Sequence, residues 1–222
     1  MPVIVTSSNS PDNIYKIILI GDERTGKSNL FERLGEYGKW DSAIPPTIGV
    51  NFLKRTIKIS DWPMILQIWD IAADKRMEAV WRACFRKTYA VFLVYDITNK
   101  KSFLRIEDWL SKFREVDDLV AQIVLVGNKC DLEDQREVSY EEARLLAEER
   151  CWKFVEVSAK TLENVNHLAR LIATDLFNRY ITIDEPEPPR KISRLYEDKS
   201  QDGDVIKLKE KNEEKKKSVC AT

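Results

Sequence analysis

At 222 residues and 43% hydrophobic content, the chain can bury one sizeable core, so one domain with a tail is the simplest organisation. Lys plus Arg (36) nearly cancels Asp plus Glu (37), which argues against a polyanion-binding surface over the whole protein, and no nucleic-acid partner is expected. One histidine, His167, argues against a His-based triad or a His-rich zinc site; four scattered cysteines without a CxxC pair read as reduced thiols of a cytosolic chain.

The opening MPVIVTSSNSPDN lacks the basic start and long apolar core of a signal peptide and reads as a disordered leader over residues 1–13. IYKIILI (Ile14–Ile20) is a short apolar run with β-branched weight, as in a buried strand. It ends at Gly21, and a helical pattern follows through KSNLFERLGEY. An irregular stretch, GKWDSAIPPTIG, leads to VNFLKRTIKI, which alternates; SDWP then turns the chain into MILQIWD, predicting an antiparallel hairpin. YAVFLVYDI and QIVLVGN are further strands, with the helix-like SFLRIEDWLSKFREV between them. SYEEARLLAEER opens on Ser139 with Glu142 three residues on, a capping-box start. WKFVEVSA is a last strand and VNHLARLIATDLFNRYI a last amphipathic helix. Strands alternating with helices imply a mostly parallel sheet covered on both faces. The composition changes at DEPEPPR (Asp184–Arg190), and residues 183–222 read as a polar, disordered tail. The longest apolar runs are too short to span a bilayer, so a soluble intracellular protein is expected.

Gly21, Asp22, Glu23, Arg24, Thr25, Gly26, Lys27 and Ser28 satisfy G-x-x-x-x-G-K-[ST], placed after a strand and before a helix that continues with Asn29. Glycines let backbone N–H groups wrap a phosphate, the helix adds its positive end, Lys27 reaches the β/γ-phosphates and Ser28 ligates Mg2+. Asn128, Lys129 and Asp131, in NKCD at the end of the QIVLVG strand, choose the base. A carboxylate accepts two hydrogen bonds from the N1–H and amino group of guanine, a donor pair that adenine lacks. Ser158, Ala159 and Lys160, at the end of the next strand, can bring backbone N–H groups to the guanine oxygen. Asp70, delivered by the apolar MILQIW, suggests a metal site.

With these residues in place the chain resembles the Ras superfamily of small GTPases, and within it the Rab branch, over about Ile14 to Tyr180. The resemblance rests on GDERTGKS, TIGVNF, LQIWD, LVYDIT, VGNKCDL and VSAK, in family order and spacing. It implies an α/β fold, a phosphate-loop small G domain over residues 14–182 with a six-stranded, mostly parallel sheet (one antiparallel strand) flanked by helices. It also implies a membrane-traffic switch using GTP/GDP and Mg2+, in which GTP orders two loops, effectors read them and hydrolysis releases them. Carried over, Thr47 closes the first loop on Mg2+ and the γ-phosphate, and Asp70 holds Mg2+ through water. Effector, exchange-factor and activating proteins are the implied partners, and Ile48, Gly49, Phe52, Trp69 and Cys84 the implied effector face.

Three residues depart from the family pattern. Where relatives read D-T-A-G-Q-E, this chain has Asp70-Ile71-Ala72-Ala73-Asp74-Lys75. Ala73 keeps the N–H of the family's glycine but restricts the backbone if the loop visits φ > 0. Asp74 replaces a glutamine that orients the attacking water; it is shorter, accepts only when ionised, and faces an anionic phosphate. Glu23 puts a second carboxylate where relatives carry a small residue. Slowed hydrolysis is the expectation. The third effector aromatic position falls on Cys84, followed by Phe85, with Trp81 and Trp40 as further bulky residues nearby in sequence. In the tail, Cys220 stands third from the end after a lysine-rich stretch; one prenyl chain there would give reversible association with the cytosolic face of endomembranes, although a strict C-a-a-X box needs the Cys one position earlier. A non-catalytic, permanently loaded scaffold is the alternative, and NKCD disfavours a phosphate-loop ATPase or kinase.

Overall fold

The strand β5 (Ala90–Asp96), AVFLVYD, buries all seven of its residues, which requires a sheet covered on both faces. The computed structural model describes residues 5–7, 14–35, 38, 40–42, 47, 49–73, 78–116 and 121–183. Around β5 the sheet is built from β2 (Ile14–Ile20), β3 (Val50–Ile59), β4 (Trp62–Ile71), β6 (Gln122–Asn128) and β7 (Lys153–Val157), in the order β3-β4-β2-β5-β6-β7. Only β3 runs antiparallel, paired with β4 from Val50↔Ile71 to Ile59↔Trp62; β4, β2, β5, β6 and β7 are parallel. The expected six-stranded, mostly parallel sheet with one antiparallel strand is the architecture found.

Residues alternate between the two faces, as the strand period requires. Ile18, Ile20, Ile71, Val91, Leu93, Tyr95 and Leu125 form one core with side chains of α2 (Glu78–Phe85), α4 (Ile106–Arg114) and α5 (Tyr140–Glu149). Helix α4 enters it with Ile106, Trp109, Leu110 and Phe113, an i, i+3, i+4, i+7 stripe. On the other face α1 (Lys27–Leu34) and α6 (Val165–Tyr180) contact each other and the sheet, burying Leu30, Leu34, Leu168, Ile172 and Leu176.

Several boundaries differ from the sequence reading, each for a local reason. The hairpin turn is only Ser60-Asp61, because both take positive φ (47° and 66°), as a tight two-residue turn requires; β4 therefore starts at Trp62. The helix expected through SFLRIEDWLSKFREV divides into α3 (Lys100–Leu104) and α4 at Arg105 (φ −91°, ψ 3°). Helix α1 stops at Leu34, where Gly35 turns extended. Helix α2 has no counterpart in the elements read from sequence; its eight residues carry one buried i, i+4 pair, Trp81 and Phe85, too short a stripe to stand out. Ser139 caps α5 by accepting from the Glu142 N–H at 3.1 Å, but the Glu142 carboxylate pairs with Lys100. Val5–Ser7 (β1), inside the segment read as a leader, pairs with Ile181–Ile183 (β8) in a separate two-stranded sheet.

Gly127 lies opposite Tyr95 in the β5–β6 register, and a Cβ there would sit 2.6 Å from Tyr95 Oη and 3.1 Å from Glu156 Cγ. Gly127→Ala is therefore expected to cost about 1–3 kcal/mol by overpacking, read as a lower denaturant midpoint, with part recovered in Tyr95→Phe/Gly127→Ala.

Candidate nucleotide site

The carboxyl ends of β2, β4, β5, β6 and β7 carry, in order, the Gly21–Ser28 loop, Asp70, Asp96, Asn128–Asp131 and Ser158–Lys160. Such a row of strand ends is where open α/β sheets bind ligands.

Two glycines shape the phosphate loop. Gly21 has φ +148° and lies so close to β5 that a Cβ would fall 2.0 Å from the Val94 carbonyl oxygen. Gly26 has φ +87°, and a Cβ there would reach Asn128 Nδ2 at 2.4 Å. Only glycine satisfies both the conformation and the approach. Gly26 precedes α1, whose first turn carries no acidic side chain and whose cap residue makes no side-chain bond, so its N–H groups face the loop. Lys27 is buried, and its Nζ donates to the carbonyls of Gly21 (2.9 Å) and Asp22 (2.6 Å). Burial pushes its ammonium down to about 8 from an ordinary 10.5, against the raising influence of Asp70, Asp22 and Glu23. Thr25 Oγ1 donates to the same Asp22 carbonyl at 3.0 Å. Glu23 and Arg24 are exposed, Arg24 at φ +63°. Asn29 makes a two-bond pair with the main chain of Asp41, donating at 3.0 Å and accepting at 3.1 Å.

Three oxygen-bearing side chains from different elements meet beside this loop. Ser28 Oγ and Thr47 Oγ1 lie 2.6 Å apart, and Thr47 Oγ1 donates to Asp70 Oδ2 at 3.2 Å. Asp70 is 1% exposed, and its Oδ1 is buried without a hydrogen-bond partner among the described residues. Two hydroxyls and an orphaned buried carboxylate oxygen are the hard donors that Mg2+ prefers, so these residues fit that ion. Among the described residues no cluster of three or more His, Cys, Asp or Glu could hold a metal. The Ala72 N–H donates to the Gly49 carbonyl at 3.1 Å, joining the flanks of the two loops, and Ala73 is not among the residues with positive φ.

The Asn128–Asp131 and Ser158–Lys160 loops are cross-braced. Asn128, 1% exposed, donates from Nδ2 to the Thr25 carbonyl (2.8 Å) and accepts from the Ala159 N–H (3.2 Å). Ser158 Oγ donates to Asp131 Oδ1 at 2.6 Å, and Lys160 Nζ stands 3.9 Å from the other oxygen, which aims the carboxylate. Lys129 sits at φ +68° and pairs with the buried Asp96 at 2.5 Å. Asp96, Arg33 and the Trp40 ring are parts that motif reading missed. Arg33 donates to the carbonyls of Ala159 (3.1 Å), Lys160 (3.5 Å) and Gly38 (3.1 Å), and Lys160 Nζ lies 5.8 Å from the Trp40 ring. None has a motif; only LVYDIT marked the strand that ends at Asp96.

Away from these loops, Phe52 and Trp69 face each other in the β3–β4 register, with stacked rings 5.2 Å apart and Phe52 56% exposed. Lys16 Nζ lies 4.5 Å from the Trp69 ring and donates to the carbonyls of Cys84 (2.5 Å) and Arg86 (3.1 Å), tying α2 to this surface. The Cys84 thiol is pushed up by burial. Trp81 is 2% exposed and belongs to the core. Ile48, Asp74, Lys75 and Cys220 lie outside the described residues. No helix among the described residues is long and apolar enough to cross a membrane.

A model of the Ras family matches residues 16–178. The GTP-binding protein ypt2 of Schizosaccharomyces pombe is 40% identical over 170 residues, which is 77% of this chain and 84% of the relative. Ras-related protein Rab-13 of Rattus norvegicus is 38% identical over 165 residues (74% and 81%), and Ras-related protein RABA5b of Arabidopsis thaliana 39% identical over 165 residues (74% and 76%).

Asn128→Ala leaves the Thr25 carbonyl and the Ala159 N–H buried without their partner. It is expected to lower the stability of the nucleotide-free chain by about 1–3 kcal/mol, measured by denaturant unfolding.

Proposed function

The chain belongs to the Rab branch of the Ras family of small GTPases, and from that premise we propose a guanine-nucleotide switch of intracellular vesicle traffic that holds GTP well and turns it over slowly. The observation that carries this reading is the convergence at one sheet edge of the Lys27 loop, the Ser28–Thr47–Asp70 oxygens and the braced Asp131 carboxylate. Lys27 and the N–H groups around it would take the β- and γ-phosphates. Ser28, Thr47 and Asp70 would hold Mg2+, which when bound bridges and neutralises phosphate oxygens; Asp70 would act through water. Asp131 would read the N1–H and amino group of guanine, the Ser158–Lys160 loop would lie beside its oxygen, and Trp40 would flank the ring. The alternative, a permanently loaded scaffold, is not favoured, because Thr47 on the first loop already reaches the Ser28 and Asp70 oxygens that a γ-phosphate-sensing ion would use.

Slow turnover follows from the residues around the γ-phosphate. At the family's glutamine position Asp74 would bring a charge where the reaction wants a neutral donor and acceptor, and repulsion between unit charges about 4 Å apart is roughly 1–4 kcal/mol at wet-site dielectrics. Glu23 adds a second carboxylate, whose field is already felt at Lys27. Phe52, Trp69 and Cys84, together with Gly49 and Ile48, would receive effectors, and Lys16 adds a cation to the surface of Phe52 and Trp69. Exchange factors and activating proteins would act at the same two loops. Cys220 would carry the lipid that brings the chain reversibly to endomembranes.

Purified chain is expected to carry guanine nucleotide. Asp131→Asn is expected to weaken it by roughly 100-fold or more while gaining xanthine nucleotide, whose carbonyl accepts from the new amide; unchanged preference in competition binding removes the base assignment. Single-turnover hydrolysis of loaded GTP is expected to be slow and to rise by about ten-fold or more in Asp74→Gln. An ordinary wild-type rate, or no rise in the variant, removes the slow-turnover claim.

A further inference from the structure

Asp22 is the second residue of the phosphate loop, and its carboxylate turns away from the loop toward α4. Oδ2 accepts from Arg105 Nη1 at 3.0 Å and Oδ1 from the Trp109 indole Nε1 at 2.8 Å, contacts that span 83 and 87 residues of sequence. The side chain is 14% exposed, against 35% for Arg105. The main chain of the same residue is engaged as well, since its carbonyl accepts from Lys27 Nζ and Thr25 Oγ1. Trp109 is itself held in place: its ring lies 6.0 Å from that of Trp81, and Lys112 Nζ is 4.7 Å from its face. Arg105 occupies the break between α3 and α4, where the backbone leaves helical geometry.

We propose that Arg105 and Trp109 are positioning residues for the bound nucleotide: they clamp the Asp22 carboxylate and so hold the carbonyl that orients Lys27. Two donors of fixed direction, one of them cationic, meet the two oxygens of one carboxylate, which restrains both its rotation and its charge. Released from them, a negative group would be free to swing within a loop that must receive phosphate. The Asp22 carbonyl would move with it, and Lys27 would lose a partner. The inference rests on the guanine-nucleotide reading above and adds to it two residues behind the loop, Arg105 at the start of α4 and Trp109 on it.

The test is the rate at which the full chain, loaded with a fluorescent GDP analogue and Mg2+, releases it into excess GDP. Losing one charge-assisted bond should accelerate release by about ten-fold in Arg105→Ala and in Trp109→Phe, with Arg105→Lys intermediate because the charge stays and the fork is lost. Asp22→Ala removes the clamped group, so Asp22→Ala/Arg105→Ala should release no faster than the faster single variant. The denaturant midpoint of the nucleotide-free Arg105→Ala chain should match wild type. Release within two-fold of wild type in both Arg105→Ala and Trp109→Phe, or multiplicative effects in the double variant, overturns the proposal. So does an equal loss of nucleotide-free stability, which would make the clamp a strut of the fold. Wild-type chain that takes up no guanine nucleotide overturns both readings; wild-type chain that holds it while the variants behave normally overturns this one alone.

Discussion

The Asn128 carboxamide is the interaction on which the rest of the site depends. At the end of β6 it donates to the loop after β2 and accepts from the loop after β7, so one buried side chain joins the phosphate side of the site to the base side. The chemistry demands this residue type, because the two partners are a carbonyl and an N–H, and an amide carries both a donor and an acceptor without charge. A carboxylate in its place would face the Thr25 carbonyl with no donor, and an aliphatic side chain would leave both groups unmet in a dry setting. Gly26 makes the approach possible, since any side chain there would occupy the position of Asn128 Nδ2.

Around that tie, the apolar interior and the charged rim divide along the strands. β5 buries seven residues in a row and ends on Asp96, whose carboxylate is met by Thr98 through N–H (2.9 Å) and Oγ1 (2.7 Å) and by Lys129. Charge is tolerated at that depth because each oxygen has a partner. Asp70 is equally buried but keeps one oxygen unmet among the described residues, a contrast that suits the metal-linked role proposed for it. In the proposed switch, holding a nucleotide draws on groups fixed by strand ends and hydrolysing it on groups beside the γ-phosphate, where Glu23 in the phosphate loop and Ala73 and Asp74 after β4 depart from the family pattern.

The surface formed by Phe52, Trp69 and Lys16 follows from sheet register. Position 52 opposes 69, which places two aromatic rings side by side, and β2 brings Lys16 opposite Gln67, one same-face position along β4 from Trp69. Trp81, a residue of similar composition, goes inward because its i, i+4 partner Phe85 faces the sheet from α2. Exposure of one aromatic and burial of the other is a matter of which element covers which face, and residue type does not reveal it.

Much of the architecture was legible from short-range pattern. Runs such as IYKIILI and AVFLVYD, the alternation of VNFLKRTIKI and the stripe of α6 state their own period, and GDERTGKS and NKCD are contiguous, so their chemistry is written in neighbouring residues. What failed to show was short or distant. Helix α2 has a single buried pair, the two-residue turn at Ser60-Asp61 hides in a polar stretch, and α3 and α4 part at an arginine that no helix-breaking residue announces. The bracing of the site was invisible for a different reason. Asp22 with Arg105 and Trp109, Asp96 with Lys129, and Arg33 with Ala159 are pairs separated by 33 to 126 residues. No periodicity records such a pair, because each partner obeys only its own strand or helix until the sheet order brings the two within hydrogen-bond reach. Contiguous residues thus pointed to the ligand chemistry proposed for this chain. The packing of β2, β5, β6 and β7 side by side decided which side chains hold that chemistry still, since a hydrogen bond forms only between groups that the fold has made neighbours.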